Sequence, residues 1–543
     1  MRISAGLFVF LLNVVSLGAQ TQSSPAARID SLLLAQVSGA VPRYVGIAAA
    51  VIYRGDTLVL RGYGMADLEH RVPVTPATVF NLASVSKQMT ASVIVRLAEQ
   101  GRLELDAPAR NYLPGSLQLS SDVTVRHLLA HLSGIPNLQT NPEYAAMEKF
   151  ARLDPTADQA RDSILAFVSR HPLLFKPGTR FDYSNTGYDL LGFIIDSVAG
   201  RPYASVVSDD LLQGHDPQCS PQSVVAERAR PYSIANGRIE NAPSTISPFI
   251  RGAAASFCAS LREMIAWSHG LHEHRTRISD AAYRLVTTPA VLSDSTETGY
   301  GFGLYSYTFA GHHVLSHAGS LSGLSSDVAY FPDDSLTIVL LGNSSPASVA
   351  ALTPQIARIV LGLPGQPLFP PSQEIFRLRQ SGGDTARVVS MGGAMRQVVE
   401  GAPLLLVDTV EVSGDFSVST MWTSRIAAGG DGVGIAIAGP DGSIPVEFMV
   451  RRGFYRIRSG SGAKPREIVQ WKHSDGVTPD QTSPLIISIV VAGAKAQFFA
   501  NENLVASIPV SRLSVRLAGH PAAVVGRNQR AWLQGYRVSQ GSR

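Results

Sequence analysis

The 543-residue sequence predicts an α+β domain followed by an all-β domain. Three observations carry that expectation. Strand-like apolar runs stand at both ends of the first 363 residues, with helix-like segments between them. Four prolines, Pro364, Pro367, Pro370 and Pro371, then fall within eight residues and read as a stiff, extended linker. Beyond about Gly401, short apolar runs follow one another between clusters of Gly, Asp and Asn, with no helical period. The length itself asks for more than one core, because single domains run to ~100–200 residues.

The elements follow in order. The apolar runs on either side of Arg54-Gly55-Asp56 read as a β-hairpin turning at Gly55-Asp56. A helix is expected from Ser84 through Glu99, closed by Gly101. Shorter helices are expected over Arg126–His131, stopped by Ser133-Gly134, over Tyr188–Val198, ending at Gly200, and over Leu261–Leu271. Val328–Phe331 and Leu336–Leu341 form a second hairpin across Pro332-Asp333-Asp334, and Val349–Leu361 a closing helix. Strands at both ends imply one sheet built from terminal segments, carrying helical insertions. In the C-terminal part, Phe416–Trp422, Gly432–Ala438, Val446–Val450, Phe454–Arg458, Glu467–Trp471 and Leu485–Val491 read as the strands of a β-sandwich. The domain expectation is therefore 1–19, 25–363, 364–400 as linker and 401–543.

Composition narrows the class. Hydrophobic residues make up 45% and charged residues 16%, which fits a globular chain with ample core and argues against broad disorder. The formal net charge is only +4, with Lys and Arg scattered, so nucleic-acid binding has no support. Arg2, the apolar run Leu7–Leu17 and the small residues Gly18-Ala19 describe a secretory signal peptide cleaved after Ala19, placing the protein in the periplasm or outside the cell. The run is shorter than the ~18 residues of a membrane span, so no integral membrane segment is expected in the mature chain. Cys219 and Cys258 are the only cysteines. In an oxidising compartment they either pair or remain two buried thiols. Their spacing matches no zinc pattern, and neither a metal nor a cofactor is expected.

Three short segments carry chemistry. In Ser84-Val85-Ser86-Lys87, the lysine lies one helical turn beyond the serine and on the same face, where it can take the hydroxyl proton of a nucleophile. The plain alternative is a helix-capping serine with a solvated lysine. In Tyr183-Ser184-Asn185, a phenol near an ammonium can act as acid or base, and the Asn185 amide can hold a carbonyl. Otherwise this is an ordinary turn before a helix. In His317-Ala318-Gly319-Ser320, a strand edge with glycine lets a substrate backbone lie alongside, and the N–H groups of Ser84 and Ser320 can form an oxyanion hole. Taken alone, His317 is a structural histidine. Gly319-Ser320-Leu321-Ser322-Gly323 matches the G-x-S-x-G elbow, but strand continues after it where that motif needs a helix, so Ser322 is rejected as a nucleophile.

Together, in this order, the three segments resemble the S-x-x-K, Y-x-N and H-x-G motifs of the serine β-lactamase and penicillin-binding family. The branch most resembled contains class C β-lactamases, D-alanyl-D-alanine carboxypeptidases, D-aminopeptidases and esterases. FNLASVSKQMTA, TVRHLLAHLSGIPN, FDYSNTGYDLLG and YGFGL look like further landmarks of that family. The resemblance covers about residues 25–363. It implies a β-lactamase/transpeptidase-like fold, an antiparallel sheet flanked by helices plus a helical subdomain. It also implies a serine hydrolase in which Ser84 is acylated, Lys87 and Tyr183 move protons, and Asn185, His317, Gly319 and Ser320 bind a small-molecule or peptide substrate. D-amino-acid peptides, β-lactams and small esters are the substrate classes. Two departures bear on the pocket: His317 stands where classical β-lactamases have lysine, and Arg251–Ser256 replaces a Gly-Gly-Leu stretch. The C-terminal part resembles a concanavalin A-like, laminin-G-like sandwich, in which Trp422, Trp471 or Trp532 would either meet glycan or fill the core. Glu447, Glu467, Glu502, Arg456 and Arg458 are expected on solvated faces. The alternative function is a non-catalytic envelope protein that binds cell-wall peptide or glycan.

Overall fold

The computed structural model describes residues 23–363, apart from 151–155, 213–223, 243–247, 274–276 and a few single positions, and beyond residue 378 mainly the strands. The expected signal peptide and prolines 364–371 lie outside these residues. No single described helix is long and apolar enough to cross a membrane.

The first unit is built on a seven-stranded sheet. Its order is Val72–Pro73, Asp56–Asp67, Gly46–Tyr53, Leu336–Gly342, Leu324–Phe331, His312–Leu321 and Tyr305–Phe309. The central partnership joins the two ends of the unit: Ala50 lies opposite Val339 in an antiparallel register. Helices sit between, as the terminal strand runs imply. The strand Gly46–Tyr53 is buried almost throughout because both of its faces are covered. Ala48 and Ala50 face the large core of the helical insertions. Ile47, Ala49 and Val51 face a second core closed by the first and last helices, Pro25–Gln36 and Thr353–Leu361. A strand covered on both faces reads as a continuous apolar run, and GIAAAVIY does so.

The first hairpin turns at Arg54-Gly55, one position earlier than expected, since Asp56 already pairs with Tyr53. Both turn residues have positive φ (52° and 86°), as the mirror-image two-residue turns favoured in hairpins require. The second hairpin and the closing helix stand where expected, with a 3₁₀ turn at Val349–Leu352 leading into Thr353–Leu361. The helix expected to end at Leu271 runs as Leu261–Ser268 and finishes in a π-helical turn, His269–Glu273. The G-x-S-x-G segment is a strand followed by a tight turn, as its rejection requires: Leu321 pairs with Leu324.

The C-terminal unit consists of an eight-stranded and a seven-stranded sheet, both antiparallel, around one core. Val433, Phe448 and Ile457 from one sheet meet Val418, Ile487 and Phe498 from the other. All six expected strands are present, some longer by a few residues. The linker expectation needs correction. Arg379–Ser381, Ala386–Met391 and Ala394–Val399 are strands inside 364–400, and they pair with Leu404–Val407 and Arg530–Gln540. Proline stops at Pro371, and the β-branched residues that follow find ladder partners only in the fold. Trp422 is 1% exposed with its indole N–H on Thr420, so it fills the core and shows no face to a sugar. The side chains of Trp471 and Trp532 lie outside the described residues. Glu447 is also buried, not solvated: it accepts from Arg458 Nε at 2.6 Å and lies 3.8 Å from Arg456. Glu467 is exposed, as expected.

Candidate active site

The site forms where the helical insertions meet the sheet. The chain enters it through the short strand Val79–Asn81, paired with Cys258–Ser260 so that Asn81 lies opposite Cys258. Asn81 Oδ1 accepts from Ala83 N at 2.8 Å, and Ala83 adopts φ 48°. This local bond turns the chain sharply into a 3₁₀ turn, Ala83–Ser86, which runs on as the helix Lys87–Glu99. The sequence placed Ser84 at the first turn of an α-helix. The 3₁₀ turn aligns it better, because residues i and i+3 eclipse at three residues per turn. Lys87 Nζ stands 3.2 Å from Ser84 Oγ.

Lys87 is fully buried. Its ammonium nitrogen also donates to Asn185 Oδ1 at 2.7 Å and to the Ala254 carbonyl at 2.8 Å. Both oxygens can only accept. The third tetrahedral direction of Nζ therefore points to Ser84, with a proton when charged and a lone pair when neutral. The Ala254 contact explains one sequence departure. In Arg251–Ser256 the carbonyls of Ala253 and Ala254 bind Thr90 and Lys87, and Phe257 holds Leu82 and Ser86. The segment is a backbone rail along the nucleophile turn. Sequence reasoning missed it because carbonyl ligands leave no residue signature. Cys258, at the end of this rail, is disulfide-bonded. The chain's other cysteine, Cys219, lies outside the described residues.

The opposite wall comes from FDYSNTGYDLLG and AHLSGIPNLQ. Ser184 caps the helix Asn185–Ala199 and points Asn185 at Lys87. The Asn185 amide nitrogen donates in turn to Gln139 Oε1. The Tyr183 ring centroid lies 4.9 Å from Lys87 Nζ, and that of Tyr188 lies 5.3 Å from it. His131 stacks on Tyr183 with centroids 4.2 Å apart. Gln139 and His131 were not singled out in the sequence. The signal was present, since both lie within or just after the TVRHLLAHLSGIPN landmark.

The third wall is the strand His312–Leu321. Its pairing with Tyr305–Phe309 stops at Ser316, which leaves 317–321 as an edge on that side. Gly319 lies against the nucleophile turn: a Cβ there would sit 2.3 Å from the Leu82 carbonyl and 2.4 Å from Ser326 Oγ. Ser320 is exposed beside it. His317 is buried. Its Nδ1 can only donate to the Ala318 carbonyl at 2.7 Å, and its Nε2 lies 3.2 Å from the Tyr300 hydroxyl. Burial first and the Lys87 charge second lower its pKa to about 3. His317 thus has no spare proton to give a leaving group.

Residues 35–361 match the Beta-lactamase family model. The chain belongs to the beta-lactamase family. A D-aminopeptidase of Gluconobacter oxydans (strain 621H) is 30% identical over 345 residues, covering 62% of this chain and 63% of the relative. Protein flp of Staphylococcus aureus (strain MW2) is 24% identical, covering 56% and 61%. The chain thus spans a little over 60% of the length of these curated relatives. Among solved structures, the octameric penicillin-binding protein homologue from Pyrococcus abyssi shares the fold over 93% of this chain and 99% of its own, with a TM-score of 0.56 at 19% identity. That coverage runs beyond the family match into the C-terminal strands. A D-stereospecific amidohydrolase from Streptomyces sp. is 25% identical, with a TM-score of 0.51, over 62% of this chain and 99% of that one.

Proposed function

We propose that the protein is an exported serine hydrolase that cleaves amide or ester bonds through a Ser84 acyl-enzyme. The substrate class we favour is small D-amino-acid amides and peptides. The observation that carries the reading is the contact between Lys87 Nζ and Ser84 Oγ at 3.2 Å, with the other two directions of Nζ fixed on Asn185 and Ala254. A lysine so held is placed to accept the proton of the Ser84 hydroxyl.

In this reading Ser84 Oγ attacks the carbonyl as its proton passes to Lys87. The C–Oγ bond forms and the carbonyl becomes an oxyanion, held by the backbone N–H groups of Ser84 and Ser320. As the oxyanion collapses, the C–N or C–O bond to the leaving group breaks and Tyr183 hands the leaving group a proton relayed from Lys87. Water, deprotonated through the same pair, then releases the acyl group and regenerates Ser84. Asn185 and Gln139 offer amides to the acyl portion. His317 stays neutral and shapes the wall. The names of the D-aminopeptidase and D-stereospecific amidohydrolase relatives support the D-amino-acid preference. The disulfide at Cys258 supports export, since such bonds persist in oxidising compartments. We assign residues 25–363 to the hydrolase unit.

The test is intact-mass spectrometry of wild type and Ser84→Ala after brief exposure to a penicillin, D-alanine p-nitroanilide and p-nitrophenyl butyrate. An adduct or turnover confined to the wild type is expected, with the D-alanyl compound fastest. Turnover that survives in Ser84→Ala would remove Ser84 as the nucleophile, and neither adduct nor turnover with any probe would overturn the reading in favour of a binding protein.

A further inference from the structure

Tyr183 is gripped from both sides by one residue. The backbone N–H of Asp182 donates to the His131 carbonyl at 2.9 Å. The backbone N–H of Ser184 donates to His131 Nδ1 at 3.1 Å. Between these two bonds the His131 ring lies against the Tyr183 ring, centroids 4.2 Å apart and 34° between planes. His131 holds this pose with φ 59°, a left-handed conformation that a non-glycine residue adopts at a cost.

We propose that His131 is the positioning residue that fixes the Tyr183 phenol over Lys87 and thereby sets the proton affinity of the Lys87–Tyr183 pair. The proposal rests on the reading of Tyr183 as a proton carrier. Because the Ser184 N–H can only donate, Nδ1 must accept, so His131 is a neutral imidazole with its proton on Nε2. A protonated His131 could not accept that bond, and the Ser184 end of the grip would open. The surroundings prevent this. Lys87 and His317 face the ring electrostatically, and Tyr183, Tyr188 and Tyr300 surround it. Burial, then the Lys87 charge, then His317 hold its pKa well below the ordinary value. The grip therefore stays closed at neutral pH. The backbone bonds fix the 181–182 and 183–184 peptides, which bracket the Asp182–Tyr183 segment, and the stacked ring fixes the phenol's plane.

Two substitutions separate the acceptor from the ring. His131→Asn keeps an acceptor near Nδ1 and tolerates the left-handed backbone, but loses the stacked imidazole. His131→Phe keeps a ring against Tyr183 and leaves the Ser184 N–H without its acceptor. Kinetics on D-alanine p-nitroanilide are corrected for the acylable fraction and read beside the melting temperature and the pH profile. We expect His131→Phe to lose roughly 100-fold in kcat with KM within about threefold, as a small misplacement of a catalytic group does. Its acidic limb of kcat/KM should move to higher pH, because a phenol displaced from the Lys87 ammonium holds its proton more tightly. His131→Asn should recover most of kcat, to within about tenfold, and restore the limb.

Three outcomes would overturn the proposal. One is a His131→Phe enzyme with wild-type kcat and pH limb. Another is a loss that vanishes once the folded fraction is counted. The third, decisive even if the Phe variant does not fold, is a His131→Asn enzyme that melts normally yet loses more than 100-fold. Turnover that survives Ser84→Ala is a different failure: it removes the functional reading itself, whatever His131 does.

Discussion

Two buried ionic groups in this protein are stabilised in opposite ways. In the beta-lactamase unit, Lys87 Nζ rests on three neutral oxygens, from Ser84, Asn185 and Ala254. In the sandwich, the Glu447 carboxylate is bound by Arg458 and flanked by Arg456. A charge held by neutral acceptors keeps most of its desolvation cost. A charge held by opposite charges is tied to them in place, and the group serves the fold. The same burial thus serves the proposed reactive centre in one place and a fixed strut in the other.

The largest effect that would test this contrast is on activity. Lys87→Met removes the amine and keeps much of the volume. We expect turnover to fall by about 10³–10⁴-fold, the upper range for a lost general base, with KM changed far less. A Lys87→Met enzyme that keeps a tenth of wild-type turnover would mean that Tyr183 alone suffices as base. Glu447→Gln should do the reverse. It leaves two guanidinium groups facing a neutral amide and should cost about 3 kcal/mol of sandwich stability, with turnover per folded molecule unchanged. Denaturant unfolding followed by the two assays gives both numbers. A loss of turnover without a loss of stability would remove Glu447 from its structural role.

Gly319→Ala tests the close approach of the edge strand to the nucleophile turn. Its Cβ would press on the Leu82 carbonyl, which is backbone and cannot swing aside. We expect the melting temperature to drop by several degrees, and turnover to fall with it as the turn carrying Ser84 is pushed away. Overpacking of this kind costs about 1–3 kcal/mol. A variant with full turnover would show that the strand and the turn move independently.

How much of this the sequence revealed depends on what kind of atom does the work. Ser84, Lys87, Tyr183, Asn185 and His317 were legible because each contributes a side chain of distinctive chemistry at a fixed spacing, and the structure brings all five into one group. The sheet was legible because the strand Gly46–Tyr53 is covered on both faces and so reads as unbroken apolar sequence. The rail at Ala253–Phe257 was not, because its ligands are peptide oxygens and nitrogens that any residue supplies. His131 was passed over inside a landmark because its role lies in a left-handed backbone and a tautomer, and neither is written in residue type. Glu447 was misjudged for another reason. Alternation gives the face a residue occupies, but not whether that face is covered.

The smallest of these effects concerns the two neutral histidines that face Lys87, and its sign can be worked out. His317 titrates near 3 in the fold and near 6.5 when unfolded. His131 is shifted in the same direction. Above about pH 6.5 both are neutral in either state and contribute no pH dependence. Between 6.5 and about 3 the unfolded chain binds protons that the folded chain refuses, so stability falls as the solution is acidified. The cost is at most about 1.4 kcal/mol per pH unit for each histidine. Unfolding free energies measured at pH 7.0 and pH 5.0 should therefore differ by a few kcal/mol at most, with the lower value at pH 5.0. Replacing His317 with Gln, which cannot charge, should flatten that slope by up to one proton while leaving Lys87 in place. If the slope of His317→Gln equals that of wild type, His317 is already protonated in the fold. The contrast between a chargeable lysine and histidines kept neutral around it would then have to be redrawn.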